Sequence, residues 1–596
     1  MALLRSDVPE NRKWNLDELF DNESDLELMC ESIRSSLNAP ELLKKKFNIN
    51  DTLKILKLNS EIMRKLERVA VYAFLRRDED TSDPKYQALS QKVEALEVEF
   101  SVATSFITPI ISGFSKKELC KMRDDPAFAD FTVYLSDIIL LKKHILSRSE
   151  EQLLSLVQSF TSGYHHAFSM FDNADIEFGS IELSDGQKIE LSHGVFSLLL
   201  QNRDREVRKK AFLKYYIPFV SHKNTLAAIY TGSVKKDCTM AKIREYDSAL
   251  DCALTLRHIK PIVYENLLTS VKKNTDVLRQ YNEYRRKSLG LKDLHMYDMY
   301  VPIVDETSLH LDYDSAYELV VKALKPLGTN YCDLLLKAKE SGWIDVEETK
   351  NKRSGAYSSG CYDAHPVVLL NYQPTTHDVF TIAHEMGHAM HSYFSNNNVC
   401  YEKASYPIFL AEIASTVNEV LLIKYLLKDA TANLKKNLLS YYLDMFRNTL
   451  FRQTMFAEFE LFAHNEIESD RPLTADILTD KYNSLYEEYY SDSLVRDVEL
   501  GYEWSRIPHF YSAFYVYQYA TGLTAAVNIV NKILSDNTFA SKYLKFLSSG
   551  DSYPPLETLK MADVDLTKQQ PFIACMTEFR ETLKKLKNIN KQVLEK

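Results

Sequence analysis

Runs of apolar residues at spacings of three and four constrain the fold of this chain more than any other sequence feature. Residues 51–77 (DTLKILKLNSEIMRKLERVAVYAFLRR) show this spacing, which is typical of an amphipathic helix. Pro84 opens a second such run to about Ser112, and helical patterns continue to about Phe160. Only 15 of the 596 residues are glycine, so few tight turns are expected. The sequence therefore predicts a mainly α-helical fold.

Two short segments carry strand signals instead. In residues 176–192, apolar and polar residues alternate on both sides of Asp185 and Gly186, which predicts a β-hairpin. Residues 351–373 are rich in turn-forming residues and include a short apolar run at 367–372, which predicts a strand. Helical patterns return from Asp378 onward, so a small β element is expected directly before a long helical region.

The bulk properties limit the range of functions. With 596 residues, the chain is about twice the length at which single cores stop growing, so two or more lobes, or one large helical body, are expected. The net charge is −10 and no basic stripe is present, which argues against nucleic acid as a partner. The N-terminus lacks the apolar run of a signal peptide, and we find no stretch with the roughly 18 apolar residues of a membrane helix.

The eight cysteines are scattered and include no CxxC pair, which is typical of free thiols in a reducing compartment. We therefore expect a cytoplasmic protein that has no membrane role.

The segment TIAHEMGHAMH, residues 381–391, carries the strongest chemical signal. His384 and His388 are four residues apart, so on a helix their imidazoles lie on one face and can bind one ion. Glu385 is rotated from His384 by about 100°, which leaves it beside such an ion. This is the H-E-x-x-H pattern of two zinc ligands and a carboxylate base. His391 is near the same face, and we expect it to pack or to support a ligand.

A catalytic zinc ion takes three protein ligands, so a third ligand is expected elsewhere. In residues 406–427, Glu412 and Glu419 share a polar face of a predicted helix. Glu412 follows His388 by 412 − 388 = 24 residues, enough for a turn and a second helix packed on the first. Glu419 lies two turns further, roughly 10 Å away, so both cannot bind the same ion. Spacing alone does not choose between them.

Residues 501–522, GYEWSRIPHFYSAFYVYQYATG, combine His509 with five tyrosines. Most tyrosines pack in cores with the hydroxyl satisfied. A histidine or tyrosine that reaches a zinc cleft would instead hydrogen-bond the oxyanion formed when water attacks a carbonyl. The tyrosines concerned are Tyr502, Tyr511, Tyr515, Tyr517 and Tyr519.

Several motifs in a fixed order carry a resemblance to a known family. HEMGHAMH, LAEIASTVNE, IPHFYSAFYVYQYATG and GDSYPPLETLKMADVDL, together with KRSGAYSSGCYDAHPVVLLNY, resemble the M3 family of zinc metallopeptidases and, within it, oligoendopeptidase F. The likeness runs from about Arg203 to the C-terminus and, more loosely, over the N-terminal part. It implies a large two-lobed helical metallopeptidase with a deep substrate channel. We predict a helical region at 1–115, a helical region with the hairpin at 116–200, and the zinc-metallopeptidase catalytic domain at 201–596.

The resemblance also implies the metal site. One zinc ion per chain would be bound by His384, His388 and Glu412, with Glu385 as the general base. In this way the resemblance favours Glu412 over Glu419, which the spacing left open.

The resemblance also implies transition-state stabilisers within residues 501–522. It suggests His509 and a tyrosine that follows it. Tyr515 is the first choice and Tyr511 the second, and Tyr517 stays open.

The expected function is hydrolysis of internal peptide bonds of short oligopeptides. A metallocarboxypeptidase or dipeptidyl carboxypeptidase with the same zinc core is the first alternative, and it would need a cation for the substrate's terminal carboxylate. Arg353 and Arg506 are candidates for that cation. A non-catalytic peptide-binding scaffold is the second alternative, but such a protein would have lost Glu385 or a ligand. Cleavage preference and oligomeric state stay open.

Overall fold

The computed structural model describes residues 3–184, 186–304 and 309–594, and helices dominate these ranges. The mainly α-helical prediction is confirmed. In the first half the helices are α1 (Glu23–Leu37), α2 (Pro40–Leu43), α3 (Thr52–Glu79), α4 (Pro84–Thr104), α5 (Ile107–Gly113), α6 (Lys116–Arg123), α7 (Thr132–Leu141), α8 (Arg148–Thr161), α9 (Gly163–Met170), α10 (His193–Leu199), α11 (Arg205–Ser221), α12 (Lys223–Ile243), α13 (Ala249–Thr255), α14 (Pro261–Lys272) and α15 (Thr275–Ser288). In the second half they are α16 (Tyr313–Ala323), α17 (Thr329–Glu340), α18 (Thr376–Asn396), α19 (Tyr401–Ala404), α20 (Ile408–Asp429), α21 (Ala432–Phe446), α22 (Arg452–Glu468), α23 (Ala475–Tyr490), α24 (Tyr517–Ser535), α25 (Ala540–Leu547), α26 (Pro555–Met561) and α27 (Gln570–Leu594).

The predicted hairpin is present. Strands β1 (Ser180–Glu182) and β2 (Lys188–Glu190) pair antiparallel, with Ile181 opposite Ile189. Gly186 adopts a φ of 85°, which suits the turn because glycine has no Cβ to clash there. Asp185, its predicted turn partner, lies outside the described residues.

A small β element precedes α18, as the sequence predicts, and it is a three-stranded sheet. It consists of β3 (Ile344–Asp345), β4 (Tyr357–Ser359) and β5 (Val367–Leu369), in the order β3-β5-β4. The central strand β5 is fully buried, runs parallel to β3 and antiparallel to β4, and ends three residues earlier than the predicted strand 367–372. Strand β4 is therefore an outer strand, and it packs beside α18.

The chain divides into two compact units, each assembled from segments far apart in sequence. The first comprises Met1–Ile145, Ser308–Tyr425 and Ile529–Val564, and the second Leu146–Thr307, Leu426–Asn528 and Asp565–Lys596. In the first unit, a large apolar core formed by α1, α3, α4, α6 and α7 also takes in Cys361, Val367 and Leu369 from the sheet region. The predicted division at 115 and 200 remains a prediction.

One stretch, Pro84–Gly113, is long and apolar enough to cross a membrane by length and composition alone, which the sequence analysis did not expect. Within its most apolar window, 22% of the residues are buried inside the protein. A single helix of this kind is weak evidence for a membrane span.

Candidate active site

Helix α18 carries the H-E-x-x-H residues and has a well-defined start. The Thr375 side chain caps the helix by accepting the Asp378 N–H. Val379, Met386 and Met390 are fully buried on the inner side of the helix. The helix is thereby held in one rotation about its axis, and His384 and His388 remain partly accessible.

A close helix contact brings α20 against α18. A Cβ added at Gly387 would lie 2.6 Å from Ser415 Cα and 2.7 Å from Ala414 O, so only glycine permits this approach. The Asn418 side chain donates a hydrogen bond to Ala383 O at 3.0 Å across the same contact. The glycine inside the motif therefore has a packing role, which offsets its low helix propensity.

Three donor atoms converge where the two helices meet. The Nε2 atoms of His384 and His388 are 3.2 Å apart. Glu412 Oε2 lies 3.7 Å from His384 Nε2 and 3.9 Å from His388 Nε2. Ligands about 2.1 Å from a tetrahedral zinc ion are about 3.4 Å from one another, so these separations fit such an ion. Among the described residues, this is the group of histidine, cysteine and acidic side chains that meets the geometry of a metal site.

A hydrogen bond orients the His384 imidazole. Glu419 Oε1 lies 2.6 Å from His384 Nδ1, which directs His384 Nε2 towards the converging donors. A carboxylate partner of this kind fixes the tautomer and ring orientation of a metal-binding histidine.

The two histidines have opposite electrostatic environments. Burial lowers the pKa of His384, but the hydrogen bond and charge of Glu419 outweigh it and raise the pKa to about 9. Burial and the charge of His384 lower the pKa of His388 to about 3. Without a cation between them, the two rings would therefore share one positive charge.

Glu385 lies next to this group and is almost fully buried. Burial raises its pKa above the ordinary value, while His384 opposes that shift and Glu412 adds to it. The Ser358 backbone of β4 also lowers the pKa of Glu385, which places the carboxylate near that outer strand.

Glu419 and His391, whose roles the sequence left open between alternatives, have distinct positions. Glu419 supports His384 instead of joining the donor group, and its position seven residues after Glu412 was the available signal. His391 is fully buried and stacks on Tyr406 with ring centroids 3.6 Å apart. This contact makes His391 a packing residue.

The second unit carries the predicted stabilisers. His509 is exposed, and Tyr515 stacks parallel to it with ring centroids 5.8 Å apart. Tyr519 Oη lies 3.3 Å from His509 Nε2. Burial and the charge of Arg452 lower the pKa of His509 below its ordinary value, which favours the neutral ring. Tyr519 was named in the sequence motif but was given no role there.

Tyr511 and Tyr517 are enclosed instead. Tyr511 is 8% exposed and stacks on Phe168 of α9. Tyr517 is fully buried against Tyr264. Its hydroxyl has no hydrogen-bond partner among the described residues. These positions favour packing roles for both tyrosines.

Both candidate carboxylate binders of the exopeptidase alternative are already paired. Arg353 Nη1 lies 3.0 Å from Asp78 Oδ2. Arg506 Nη2 lies 2.8 Å from the buried carboxylate of Glu503. Each guanidinium already forms an ion pair with a carboxylate of this chain.

Comparison with known proteins shows the family of the chain. Residues 198–578 match the model of peptidase family M3, and residues 113–178 match the model described as Oligopeptidase F. The chain belongs to peptidase family M3. Oligopeptidase PepF of Bacillus subtilis is 36% identical over 592 residues, covering 98% of this chain and 88% of the relative.

Two solved structures extend the likeness to three dimensions. A protein of Chlamydophila abortus matches with a TM-score of 0.91 and 36% identity, covering 99% of this chain and 100% of that one. Oligoendopeptidase-F of Enterococcus faecium matches with a TM-score of 0.72 and 32% identity, covering 97% and 100%. Membership of family M3 confirms the predicted enzyme class, a metallo-endopeptidase. The endopeptidase prediction fits these findings better than the carboxypeptidase or scaffold alternatives.

Proposed function

We propose that this M3 peptidase is a zinc enzyme that hydrolyses internal bonds of short peptides. The observation that carries the proposal is the convergence of His384 Nε2, His388 Nε2 and Glu412 Oε2 within 4.8 Å of one another. Two neutral imidazoles and one carboxylate form the donor set that catalytic zinc prefers, with a coordination position left for water or substrate. We assign one zinc ion per chain to these three residues.

The residues around the donors fit that assignment. Glu419 holds His384 by its other ring nitrogen, and Ser415 Oγ donates to Glu412 Oε2 at 3.3 Å. The first contact leaves His384 Nε2 directed at the common point, and the second is made to Glu412 Oε2, the donor atom itself. A cation between the two Nε2 atoms, which lie 3.2 Å apart, would bind the lone pair of each ring.

Zinc bound there would polarise the scissile carbonyl and lower the pKa of a water molecule. Glu385 is the proposed general base, because its carboxylate lies beside the donor group without belonging to it. It would take a proton from the attacking water and pass it to the leaving amine.

We assign stabilisation of the oxyanion to His509 and Tyr515. The support is the family resemblance, together with the exposure of His509 and the partial exposure of Tyr515. Tyr519 would orient His509 through the contact to Nε2. Tyr511 is the weaker candidate because its ring is stacked in the interior.

Strand β4 is the proposed docking edge for the peptide. It is an outer strand of the sheet, and its Ser358 backbone lies near Glu385. An extended peptide that pairs with such an edge gains main-chain hydrogen bonds with little sequence demand. Short peptides of varied sequence are therefore the proposed substrates.

We also propose a cytoplasmic location. The eight cysteines, all within the described ranges, are free thiols, and five of them are buried. That pattern suits a reducing compartment.

The test uses a quenched fluorescent peptide of about eight residues, blocked at both ends. The purified wild type would be compared with Glu385→Gln and with Glu340→Gln, an exposed control on α17. We expect internal cleavage by the wild type and the control, and a loss of about 100-fold or more in Glu385→Gln. Zinc content, measured in each protein, should stay at one per chain.

Two results would overturn the proposal. Wild-type protein prepared without chelators that contains no zinc would remove the metal assignment. Cleavage only of peptides with a free C-terminus would favour the carboxypeptidase alternative.

A further inference from the structure

The segment that carries His509 and Tyr515 contains a strained residue. Phe514, directly before Tyr515, adopts a φ of 50°. This value lies in the left-handed region, which residues other than glycine rarely occupy. Such a conformation costs of order 1–3 kcal/mol and persists only where surrounding contacts enforce it. The contacts at this residue therefore determine the direction in which the chain enters Tyr515.

A buried acid holds this residue. Glu460 on α22 is fully buried, and its Oε1 accepts the Phe514 N–H at 2.6 Å. On the other side of the same peptide unit, Ala513 O accepts a hydrogen bond from Arg257 Nη2 at 3.3 Å. The Phe514 ring lies against His464, with centroids 4.5 Å apart. The turn is thus held at both polar groups of the 513–514 peptide and at the side chain that follows it.

The environment of Glu460 makes its burial expensive. Burial raises its pKa to about 8, although His464 and the Phe514 N–H oppose the shift. His464 Nδ1 bonds to Glu460 O, and His464 Nε2 lies 3.7 Å from Asp237 Oδ2. Glu460 Oε2 has no hydrogen-bond partner among the described residues. An apolar side chain would cost less free energy to bury here. The hydrogen bond from the Phe514 N–H is therefore the contact that accounts for an acid at this position.

We infer that Glu460 is a positioning residue of the enzyme: by accepting the Phe514 N–H, it fixes the turn that sets Tyr515 against His509. The inference rests on the proposed roles of His509 and Tyr515. Glu460 itself touches neither ring in this arrangement; it acts through the backbone. Displacements of about 1 Å in groups that act on a transition state cost on the order of 100-fold in rate.

Two variants separate the acceptor from the ionisable group. Glu460→Gln keeps an oxygen at the same reach and removes the ionisable carboxyl. Glu460→Asp keeps a carboxyl and shortens the side chain by one methylene, which withdraws the oxygen. We expect Glu460→Asp to lower kcat by about 10- to 100-fold with KM within about twofold, and Glu460→Gln to stay within about threefold of the wild type. A residue needed only as an ionisable group would give the opposite order.

Amide hydrogen exchange of residues 507–516 is the second readout on the same zinc-loaded proteins. Exchange in this segment should be faster in Glu460→Asp and unchanged in Glu460→Gln. Met455→Ala, which removes a buried side chain of the same helix, controls for general destabilisation and should leave kcat unchanged. If Glu460→Asp does not fold, Glu460→Met removes the acceptor without leaving a buried charge and should give the same loss of kcat.

The outcomes are distinct. Wild-type kcat and exchange in Glu460→Asp, or an equal loss in Glu460→Gln, would overturn the inference. His509→Ala and Tyr515→Phe are measured in parallel. If both keep full activity while Glu460→Asp still loosens the segment, the roles proposed for those two side chains fail, and the positioning of the turn by Glu460 stands.

Discussion

The histidine region of the first unit and the tyrosine segment of the second hold their functional side chains by different means. His384, His388 and Glu412 stand on two regular helices, whose approach depends on Gly387. In the tyrosine segment, residues 507–516, the chain forms a short 3-10 turn at Pro508–Tyr511 and a left-handed residue at Phe514. Regular hydrogen bonding holds the first group, whereas side chains of neighbouring elements hold the second.

The difference shows where sequence spacing is informative. On a helix, a separation of four residues specifies which side chains share a face. In an irregular segment, neighbouring tyrosines differ in exposure for reasons that lie elsewhere in the chain. Tyr511 is enclosed by α9, and Tyr515 follows a turn held by Glu460.

The largest predicted effect separates two tyrosines of the same segment. Tyr515→Phe removes a proposed oxyanion donor, and we expect kcat to fall about 100-fold. Tyr517→Phe removes a buried hydroxyl that has no partner among the described residues, and we expect kcat within about twofold of the wild type. Steady-state cleavage of the blocked peptide measures both. Equal losses of kcat in the two variants would contradict the proposed difference between the partly exposed Tyr515 and the buried Tyr517.

The next effect concerns the helix contact in the histidine region. Gly387→Ala places a Cβ against the backbone of Ser415, so α18 and α20 must separate. We expect a loss of about 2 kcal/mol in the free energy of unfolding, with weaker zinc binding. Denaturant unfolding and zinc quantification test this. Gly194→Ala is the control, since its Cβ would meet no atom within 4 Å, and a similar loss there would contradict the argument.

The smallest effect concerns the support of one ligand. Glu419→Gln keeps an acceptor for His384 Nδ1 but removes its charge. We expect zinc affinity to fall by about 10-fold, measured by competition with a chelator. Asp429→Asn, an exposed change on the same helix, removes one charge away from the site and should leave the affinity unaltered. An unchanged affinity in Glu419→Gln would show that orientation alone matters.

Much of the fold followed from local patterns. The amphipathic run at 51–77 corresponds to α3, and the hairpin and the strand before the histidine helix are present. These elements depend on residues close together in sequence. The apolar stretch Pro84–Gly113 was not expected, because charged residues interrupt its apolar run, although one 18-residue window within it has a mean hydropathy of 1.2.

Only part of the candidate site could be predicted from the sequence. The pair of histidines with Glu385 is a local signal, and the structure brings Glu412 to it. The contacts of Glu419 with His384 and of Tyr519 with His509 were not foreseen. The first joins residues on different helices, and the second depends on how an irregular turn enters α24.

By itself, the sequence determined a helical protein with two imidazoles and a carboxylate on one helix. Local hydrogen bonding and side-chain periodicity act over a few residues, so they can be read from spacing. Only the tertiary structure decided that Glu412 joins the histidines while Glu419 supports one of them, and that Tyr515 is accessible while Tyr517 is buried. Helical periodicity specifies angles about one axis. The distance and rotation between two axes come from packing, as at Gly387 against Ser415, and the path of an irregular turn comes from its partners, as at Phe514 against Glu460.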